Sequence, residues 1–266
     1  MKRFVSFDIE CARVSKTAAH ILSFGYVIAD EHFNIEKKED VLISPGTKIR
    51  VCSAAGEGIV LPYDDKELKT KPKFPHFYPA FKALLEDENH IVFGHATTND
   101  VRYLNLECAR YHLPQLSFPF WDTQIFYAEK TGNYNELKGL PAIAAEENVD
   151  FRAHCSADDA LMTMLALKSL CGGSLDAFLS AVAEMKGQPG RTENGEVLSM
   201  TTEKYRAVLK ERARKKEERR LAWERRFMKK NASAGNFVRG NSQNAAMTCS
   251  GKSARVDSGK SATNDK

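Results

Sequence analysis

The segment RFVSFDIEC, residues 3–11, combines the pattern of a buried strand with two acidic side chains. Its apolar residues alternate and predict a strand that is covered by other elements. Asp8 and Glu10 lie inside this run, although removing an unpaired carboxylate from water costs several kcal/mol. Because side chains two positions apart on a strand point the same way, both carboxylates project from one face.

Two interpretations of this acid pair are open from the segment alone. In the first, Asp8 and Glu10 lie on the solvent face of an edge strand and each pairs with a lysine. This is the commoner meaning of an isolated Asp-x-Glu, because the motif is short. In the second, a divalent cation lies between the carboxylates and removes their mutual repulsion. Mg²⁺ and Mn²⁺ suit this role because they prefer carboxylate oxygen.

Two later segments contain further acids and a histidine. FGHATTNDVRYL places Asp100 in the first turn of a helix that follows a strand, where an acid also suits the helix dipole. HCSADDALMT places His154 before a helix, with Ser156 as the expected N-cap and Asp159 as the third helical residue. That segment also fits a capping box beside an incidental histidine. Each segment singly is ordinary, but their order along a strand–helix body is a more specific pattern.

Together these segments resemble the DEDDh 3′→5′ exonucleases, the DnaQ-like family of the ribonuclease H-like superfamily. That family has an Asp-x-Glu in its first strand, an Asp that opens a helix after the fourth strand, and a His followed five residues later by an Asp. WDTQIFYA (121–128) is also similar to a strand segment of the family, and the resemblance covers residues 3–171. The matching residues here are Asp8, Glu10, Asp100, His154 and Asp159.

The resemblance implies an α/β fold, a ribonuclease H-like mixed five-stranded sheet flanked by helices. It also implies a metal-dependent 3′→5′ exonuclease with two Mg²⁺ or Mn²⁺ ions, acting on the 3′ end of single-stranded or frayed DNA or RNA and releasing nucleoside monophosphates. Asp8, Glu10 and Asp159 would hold one ion, Asp8 would bridge to a second near Asp100, and His154 would accept a proton from the attacking water. Asp158 competes with Asp159, but the five-residue spacing favours Asp159.

The sequence departs from the family at two places. Cys11 follows Glu10, where the family commonly has Thr, and residues 95–100 read HATTND where HNxxFD is common. The GHAxxND form is similar to one in some RNA-degrading members. Neither departure removes a metal ligand, but both affect the pocket for the terminal nucleotide, so no substrate-binding residue is assigned. His95 is interpreted as structural rather than catalytic.

Hydrophobic periodicity predicts the organisation of the chain. Residues 1–175 form the exonuclease domain, 176–202 a connecting segment, 203–230 a basic helix and 231–266 a tail. The tail is expected to be disordered because it is rich in Ser, Gly, Asn and Ala and has almost no large apolar residues. Within the domain, an irregular loop spans residues 47–73. The predicted strands are 3–10, 21–29, 40–44, 90–94 and one within 117–128, and the predicted helices are 74–87, 98–112, 137–147 and 156–171.

Charge is divided unevenly along the chain. Residues 203–266 contain 18 Lys and Arg against 7 Asp and Glu, so residues 1–202 are acidic, although the whole chain has a net charge of +4. The basic segment is interpreted either as a surface that follows a phosphate backbone or binds a protein partner, or as a solvated helix. The oligomeric state is left open.

Composition narrows the location and the class of protein. The six cysteines are scattered without a CxxC pair, and no run reaches the roughly 18 apolar residues of a membrane span, so a cytoplasmic protein without a membrane association is expected. Two alternatives to a free exonuclease remain: a catalytically silent nucleic-acid-binding module, and the proofreading subunit of a DNA polymerase.

Overall fold

The computed structural model describes residues 1–50 and 61–243, with side chains as far as residue 228. Its main sheet has five strands in the order β3-β2-β1-β4-β5, with β1 at the centre. β1 pairs antiparallel with β2 and parallel with β4, so the sheet is mixed and the predicted α/β fold is confirmed. The strands are β1 Arg3–Val14, β2 Ala19–Ala29, β3 Ile35–Leu42, β4 His90–Gly94 and β5 Phe120–Asp122.

Helices follow each strand after β3 and cover the sheet. Helix α1 lies within the predicted loop 47–73, of which residues 51–60 lie outside the described chain. A small hairpin, β6 Arg191–Glu193 and β7 Glu196–Leu198, precedes the last helix. The helices are α1 Asp65–Leu68, α2 Phe74–Leu85, α3 Thr98–Arg110, α4 Thr123–Thr131, α5 Leu140–Glu147, α6 Ser156–Cys171, α7 Leu175–Glu184 and α8 Glu203–Gln243.

The central position of β1 explains why its residues are buried on both faces. Phe7 packs in the core cluster that contains α2 and α3 residues, whereas Phe4 packs in the cluster that contains α6 and α7 residues. The hydroxyl of Ser6 donates to the carbonyl of Ala160 in α6 at 2.7 Å, so Ser6 faces this helix. Asp8 and Glu10 share that face by strand alternation. The edge-strand interpretation of the acid pair is therefore wrong.

Two predicted strand segments differ from the structure. β3 begins at Ile35, five residues before the predicted strand 40–44. The prediction missed its first residues because this exposed edge strand lacks alternating apolar residues. The strand in WDTQIFYA ends at Asp122, and the remaining residues form α4. The Asp122 side chain accepts the backbone N–H of Gln124 at 3.0 Å and so caps this helix.

The predicted connecting segment 176–202 is part of a compact unit that spans Met1–Leu209. Phe178 and Met200 are buried because they complete the core beneath α6 and α7. Phe120 and Gly190 exchange backbone hydrogen bonds, so this segment also covers the free edge of β5.

A second unit begins at Lys210 and consists, as far as it is described, of the rest of α8. The helix reaches Gln243 rather than ending at residue 230, and no proline interrupts it. The remainder of the predicted disordered tail, residues 244–266, lies outside the described chain. In the described ranges no single helix has the length and apolar composition to cross a membrane, although α6 and α7, bent by 71°, pass together on those two criteria.

Candidate active site

Three predicted ligands meet where the acid face of β1 approaches the start of α6. Asp8 and Glu10 project from β1, and Asp159 projects from the first turns of α6. One carboxylate oxygen from each of these residues lies within 4.8 Å of the others. Oxygens at this separation can share one divalent cation, which is the ligand chemistry that magnesium and manganese prefer.

Asp100, the fourth predicted ligand, is not one of the three residues whose carboxylate oxygens lie within 4.8 Å of one another. It is 7% exposed and lies in the first turn of α3, which follows β4, the parallel neighbour of β1. Burial first, and then the charge of Asp100, raises the pKa of Asp8, so the two carboxylates repel each other. Burial first, and then the charges of Asp122 and Glu10, raises the pKa of Asp100 itself.

Burial raises the pKa of every one of these acids, and repulsion from neighbouring acids adds to the rise at Asp8, Glu10 and Asp100. Desolvation, followed by the charges of Asp159 and Asp40, raises the pKa of Glu10 to about 7. Desolvation likewise raises the pKa of Asp159 to about 7. The pKa of Asp8 lies well above its usual range, because of burial and then its acidic neighbours. A cluster of buried carboxylates with this mutual repulsion fits a bound cation, which would neutralise it.

His154 lies at the solvent side of the cluster. Its side chain is 51% exposed, and its Nδ1 is 3.6 Å from Oε1 of Glu10. Its backbone has φ = 64°, a left-handed conformation that few residues adopt, although His does so more readily than most. The backbone N–H of His154 donates to the Asp159 carboxylate and opposes the rise in its pKa. The histidine and the last acid are therefore held together.

Asp158 is directed away from the cluster. Its carboxylate accepts a hydrogen bond from Lys38 Nζ at 2.6 Å and lies 3.7 Å from Arg152 Nε. Lys38 and other hydrogen-bonding groups lower the pKa of Asp158 against the effect of burial. Asp159, rather than Asp158, therefore joins Asp8 and Glu10.

The model of the RNase T family, described as "Exonuclease", matches residues 5–167. The chain belongs to the RNase T exonuclease family. The predicted enzyme class, an exonuclease among the hydrolases, is thereby confirmed. No curated protein sequence matches this exonuclease.

Solved structures show the same fold at low sequence identity. One is a 3′-exonuclease whose structure is described as 3′-end specific recognition of a histone mRNA stem-loop. It is 12% identical to this chain, with a TM-score of 0.57, and the match covers 76% of this chain and 71% of that chain. The nuclease domain of 3′hExo, a DEDDh family member bound to rAMP, is 13% identical with a TM-score of 0.52, and the match covers 65% of this chain and 94% of that chain. Escherichia coli Exonuclease I with a dA16 oligonucleotide is 14% identical with a TM-score of 0.54, covering 68% and 43%.

Gly25 allows α6 to approach the sheet closely enough to form the site. It pairs with Asp8 across β1 and β2. A Cβ atom at this position would lie 2.0 Å from the carbonyl carbon of Ser156, so no other residue fits without movement of the helix. The sequence places a glycine within an apolar strand pattern, which signals close backbone approach, but does not indicate which element approaches.

Asp122 organises the turn that carries Asp100. Its carboxylate accepts the backbone N–H groups of Ala96 at 3.0 Å and Thr97 at 3.1 Å, just before α3. Burial raises the pKa of Asp122 to about 6 in spite of these bonds. His95 contacts Thr123 Oγ1 at 2.9 Å and the Lys138 carbonyl at 2.8 Å, as expected of a structural histidine. Asp122 was not assigned a role from the sequence. The only local indication was its position after the apolar residues of a strand and before Thr123.

The expected cap of α6 is wrong. Cys155 is the N-cap residue and makes no side-chain capping bond, so Ser156 is the first helical residue and Asp159 the fourth. The Ser156 hydroxyl instead donates to Asp40 Oδ1 at 2.9 Å. The backbone N–H of Ser156 donates to the Tyr63 hydroxyl at 3.0 Å, so an acceptor outside the local segment takes the place of the local capping box.

Proposed function

We propose that the protein is a metal-dependent 3′→5′ exonuclease that hydrolyses the phosphodiester bond at the 3′ end of single-stranded or frayed DNA or RNA and releases nucleoside monophosphates. The observation that carries this proposal is the meeting of Asp8, Glu10 and Asp159 within 4.8 Å on one face of a central strand. Their burial and raised pKa values support a role that needs a cation rather than a structural ion pair.

The donor set fits Mg²⁺ or Mn²⁺, and we infer two ions. Asp8, Glu10 and Asp159 would hold one, and Asp8 with Asp100 would hold the second. Divalent cations, when bound, supply positive charge to the phosphoryl oxygens and lower the pKa of water. The carboxylates orient this charge, and the apolar neighbours Phe7 and Ile9 on β1, both buried, keep their geometry constant.

His154 would take the proton from the attacking water. Its exposed ring is beside Glu10, so it can reach both solvent and the acid cluster. A histidine at the edge of a metal site suits proton transfer near neutral pH. Glu10 would orient the ring through the Nδ1 side of the imidazole.

A groove beside Glu10 is our candidate for the terminal nucleotide. Cys11, Arg13, Arg50 and Tyr103 line it together with Glu10. The two arginines are exposed and offer donors for phosphate or sugar oxygens, and the tyrosine ring offers a stacking face. Cys11, buried at 7% exposure, contributes a thiol where the related family commonly has a hydroxyl.

The basic part of α8 would contact the rest of the nucleic acid. Arg214 and Arg220 pair with glutamates of the same helix, which favours a solvated helix at those positions. Arg225 and Arg226, by contrast, are exposed and make no ion pair with the described side chains. The exposed rings of Trp223 and Phe227 stack on each other with centroids 5.2 Å apart. Exposed aromatic rings beside unpaired cations are typical of single-strand binding; a protein partner is the alternative.

End-labelled substrates test the function. Single-stranded DNA, single-stranded RNA and a blunt duplex, labelled at either end, are incubated with Mg²⁺, Mn²⁺ or EDTA, beside Asp8→Ala. We expect metal-dependent loss from the 3′ end, with a ladder from the 5′ label and mononucleotide from the 3′ label. The comparison also gives the sugar preference, to which the GHATTND segment and the mRNA stem-loop relative add a mild bias towards RNA.

The same assay, extended to a mismatched primer end with and without a DNA polymerase, separates the alternatives. A silent binding module would retain nucleic-acid binding without nucleotide release in any metal. A proofreading subunit would act on mismatched primer ends and gain activity with its polymerase.

We also propose that the protein is cytoplasmic. Four cysteines, Cys11, Cys108, Cys155 and Cys171, are free thiols, and a reducing compartment favours free thiols.

A further inference from the structure

A group of hydroxyl side chains around Asp40 fastens the start of α6 to the sheet. Ser23 comes from β2, Asp40 from β3, Tyr63 from the segment before α1, and Ser156 from the first position of α6. We call these residues the Asp40 network. Ser23 and Ser156 are completely buried, whereas Tyr63 is half-buried and Asp40 is exposed at the rim.

The hydrogen bonds of this network converge on one carboxylate. Ser156 Oγ donates to Asp40 Oδ1 at 2.9 Å, and Ser23 Oγ donates to the same oxygen. The Tyr63 hydroxyl donates to Asp40 Oδ2 at 3.1 Å and accepts the backbone N–H of Ser156 at 3.0 Å. Tyr63 therefore caps the helix from outside, in place of the side-chain bond that Cys155 does not make.

The network is adjacent to the site on two sides. Ser23 pairs with Glu10 in the β1–β2 register, and Gly25, two residues further along β2, contacts the backbone of Ser156. Ser156 lies two residues after His154 and three before Asp159. A shift of the start of α6 relative to β2 would therefore move His154 and Asp159 together, away from the acids on β1.

We propose that the Asp40 network positions His154 and Asp159 against Asp8 and Glu10, with Tyr63 as a positioning residue that touches neither substrate nor metal. The inference rests on the proposed function. Loss of the Tyr63 hydroxyl leaves the Ser156 amide without its acceptor and removes one donor from Asp40. Because displacements of about an ångström cost up to about 100-fold in rate, the effect falls on turnover and on cation affinity.

The test compares Tyr63→Phe and Ser23→Ala with the control Tyr78→Phe, which removes a tyrosine hydroxyl outside the network whose bond goes to the carbonyl of Pro114 at 3.0 Å. Each full-length variant is measured for kcat and KM on a single-stranded oligonucleotide, for Mn²⁺ binding by electron paramagnetic resonance without substrate, and for thermal midpoint. We expect kcat to fall about 10- to 100-fold and Mn²⁺ binding to weaken in both network variants, with KM within about twofold of wild type. Tyr78→Phe keeps wild-type values for both.

Wild-type kcat and Mn²⁺ binding in folded Tyr63→Phe and Ser23→Ala would overturn the inference, as would a lowered thermal midpoint alone. If one variant does not fold, the other decides, and Ser156→Thr, which retains a hydroxyl, is expected to recover more activity than Ser156→Ala. Failure of the proposed function is a different result. The wild-type protein would then bind Mn²⁺, and the network variants would still weaken that binding, but no variant would release nucleotide.

Discussion

Replacing Glu10 by Gln is expected to stabilise the metal-free protein while abolishing its activity. Burial and acidic neighbours raise the pKa of Glu10 from 4.5 to about 7. The folded chain therefore binds a proton at Glu10 that the unfolded chain releases at lower pH. Stability from this group is fully present below the unfolded pKa and is lost as the pH rises through the folded pKa.

The size of this effect follows from the shift. At about 1.4 kcal/mol per pKa unit, the raised pKa of Glu10 lowers the free energy of unfolding by about 3 kcal/mol near pH 8. Near pH 5 the loss is about 1 kcal/mol, because there Glu10 ionises in the unfolded chain but stays protonated in the folded one. Glutamine has a similar shape and no charge, so Glu10→Gln should recover this difference. Asp159 carries a similar penalty, but the two carboxylates repel each other and their contributions do not add.

Urea denaturation in EDTA at about pH 5 and pH 8 measures the effect. We expect the gain of the variant to be largest at the higher pH. Added Mg²⁺ should stabilise the wild type more than the variant, because only the complete ligand set binds the cation well. Glu39→Gln is the matched control. Hydrogen bonds from Tyr26 and, to a smaller extent, Lys37 lower the pKa of this exposed acid, so its replacement should not raise the free energy of unfolding. A metal-free Glu10→Gln protein no more stable than wild type at pH 8 would refute the reasoning.

Three further predictions follow from the same geometry. His154→Ala should keep the thermal midpoint and lower kcat about 100-fold or more, whereas the exposed-surface control His32→Ala should retain full turnover; near wild-type turnover in His154→Ala would remove its assigned role. Gly25→Ala should lower the free energy of unfolding, measured with urea, by about 1–3 kcal/mol or more, because the added Cβ meets the Ser156 backbone. An unchanged urea midpoint would contradict this close approach. The double variant Arg225→Gln/Arg226→Gln should weaken oligonucleotide binding and flatten its salt dependence. The control Arg214→Gln/Arg220→Gln, at arginines that pair with glutamates, should have a smaller effect. Equal salt slopes for the two double variants would argue against the helix as a binding surface.

Local sequence patterns predicted several elements almost to the residue. HIVFG forms β4 over His90–Gly94, because a short apolar run ends at a glycine. Helix α6 covers Ser156–Cys171 and stops at Gly172, whose φ of 83° suits glycine. β3 was misplaced because an exposed edge strand such as IEKKEDVL needs no apolar alternation. Its backbone pairing with β2, rather than its side chains, makes it a strand.

The candidate site was predicted by residue type and order, but not by contact. The spacing of Asp8 and Glu10 requires both to share a strand face, and the motif order named Asp100, His154 and Asp159. Nothing in the residues 3–11 alone distinguishes an edge strand from a central one. The pairing of β1 with both β2 and β4 makes that distinction, and in this central strand the two acids are half-buried.

Residues that support the site were beyond prediction for the same reason. Asp40 is 116 positions from Ser156 in the chain and 17 from Ser23, and no local pattern relates them. The partner that holds Asp158 away from the cluster, Lys38, likewise lies 120 positions away. Alternation, helix periodicity and motif order are short-range properties and can be read from the chain. Burial, the charges that raise the carboxylate pKa values, and hydrogen-bond partners depend on distant segments, so they follow from how the chain packs.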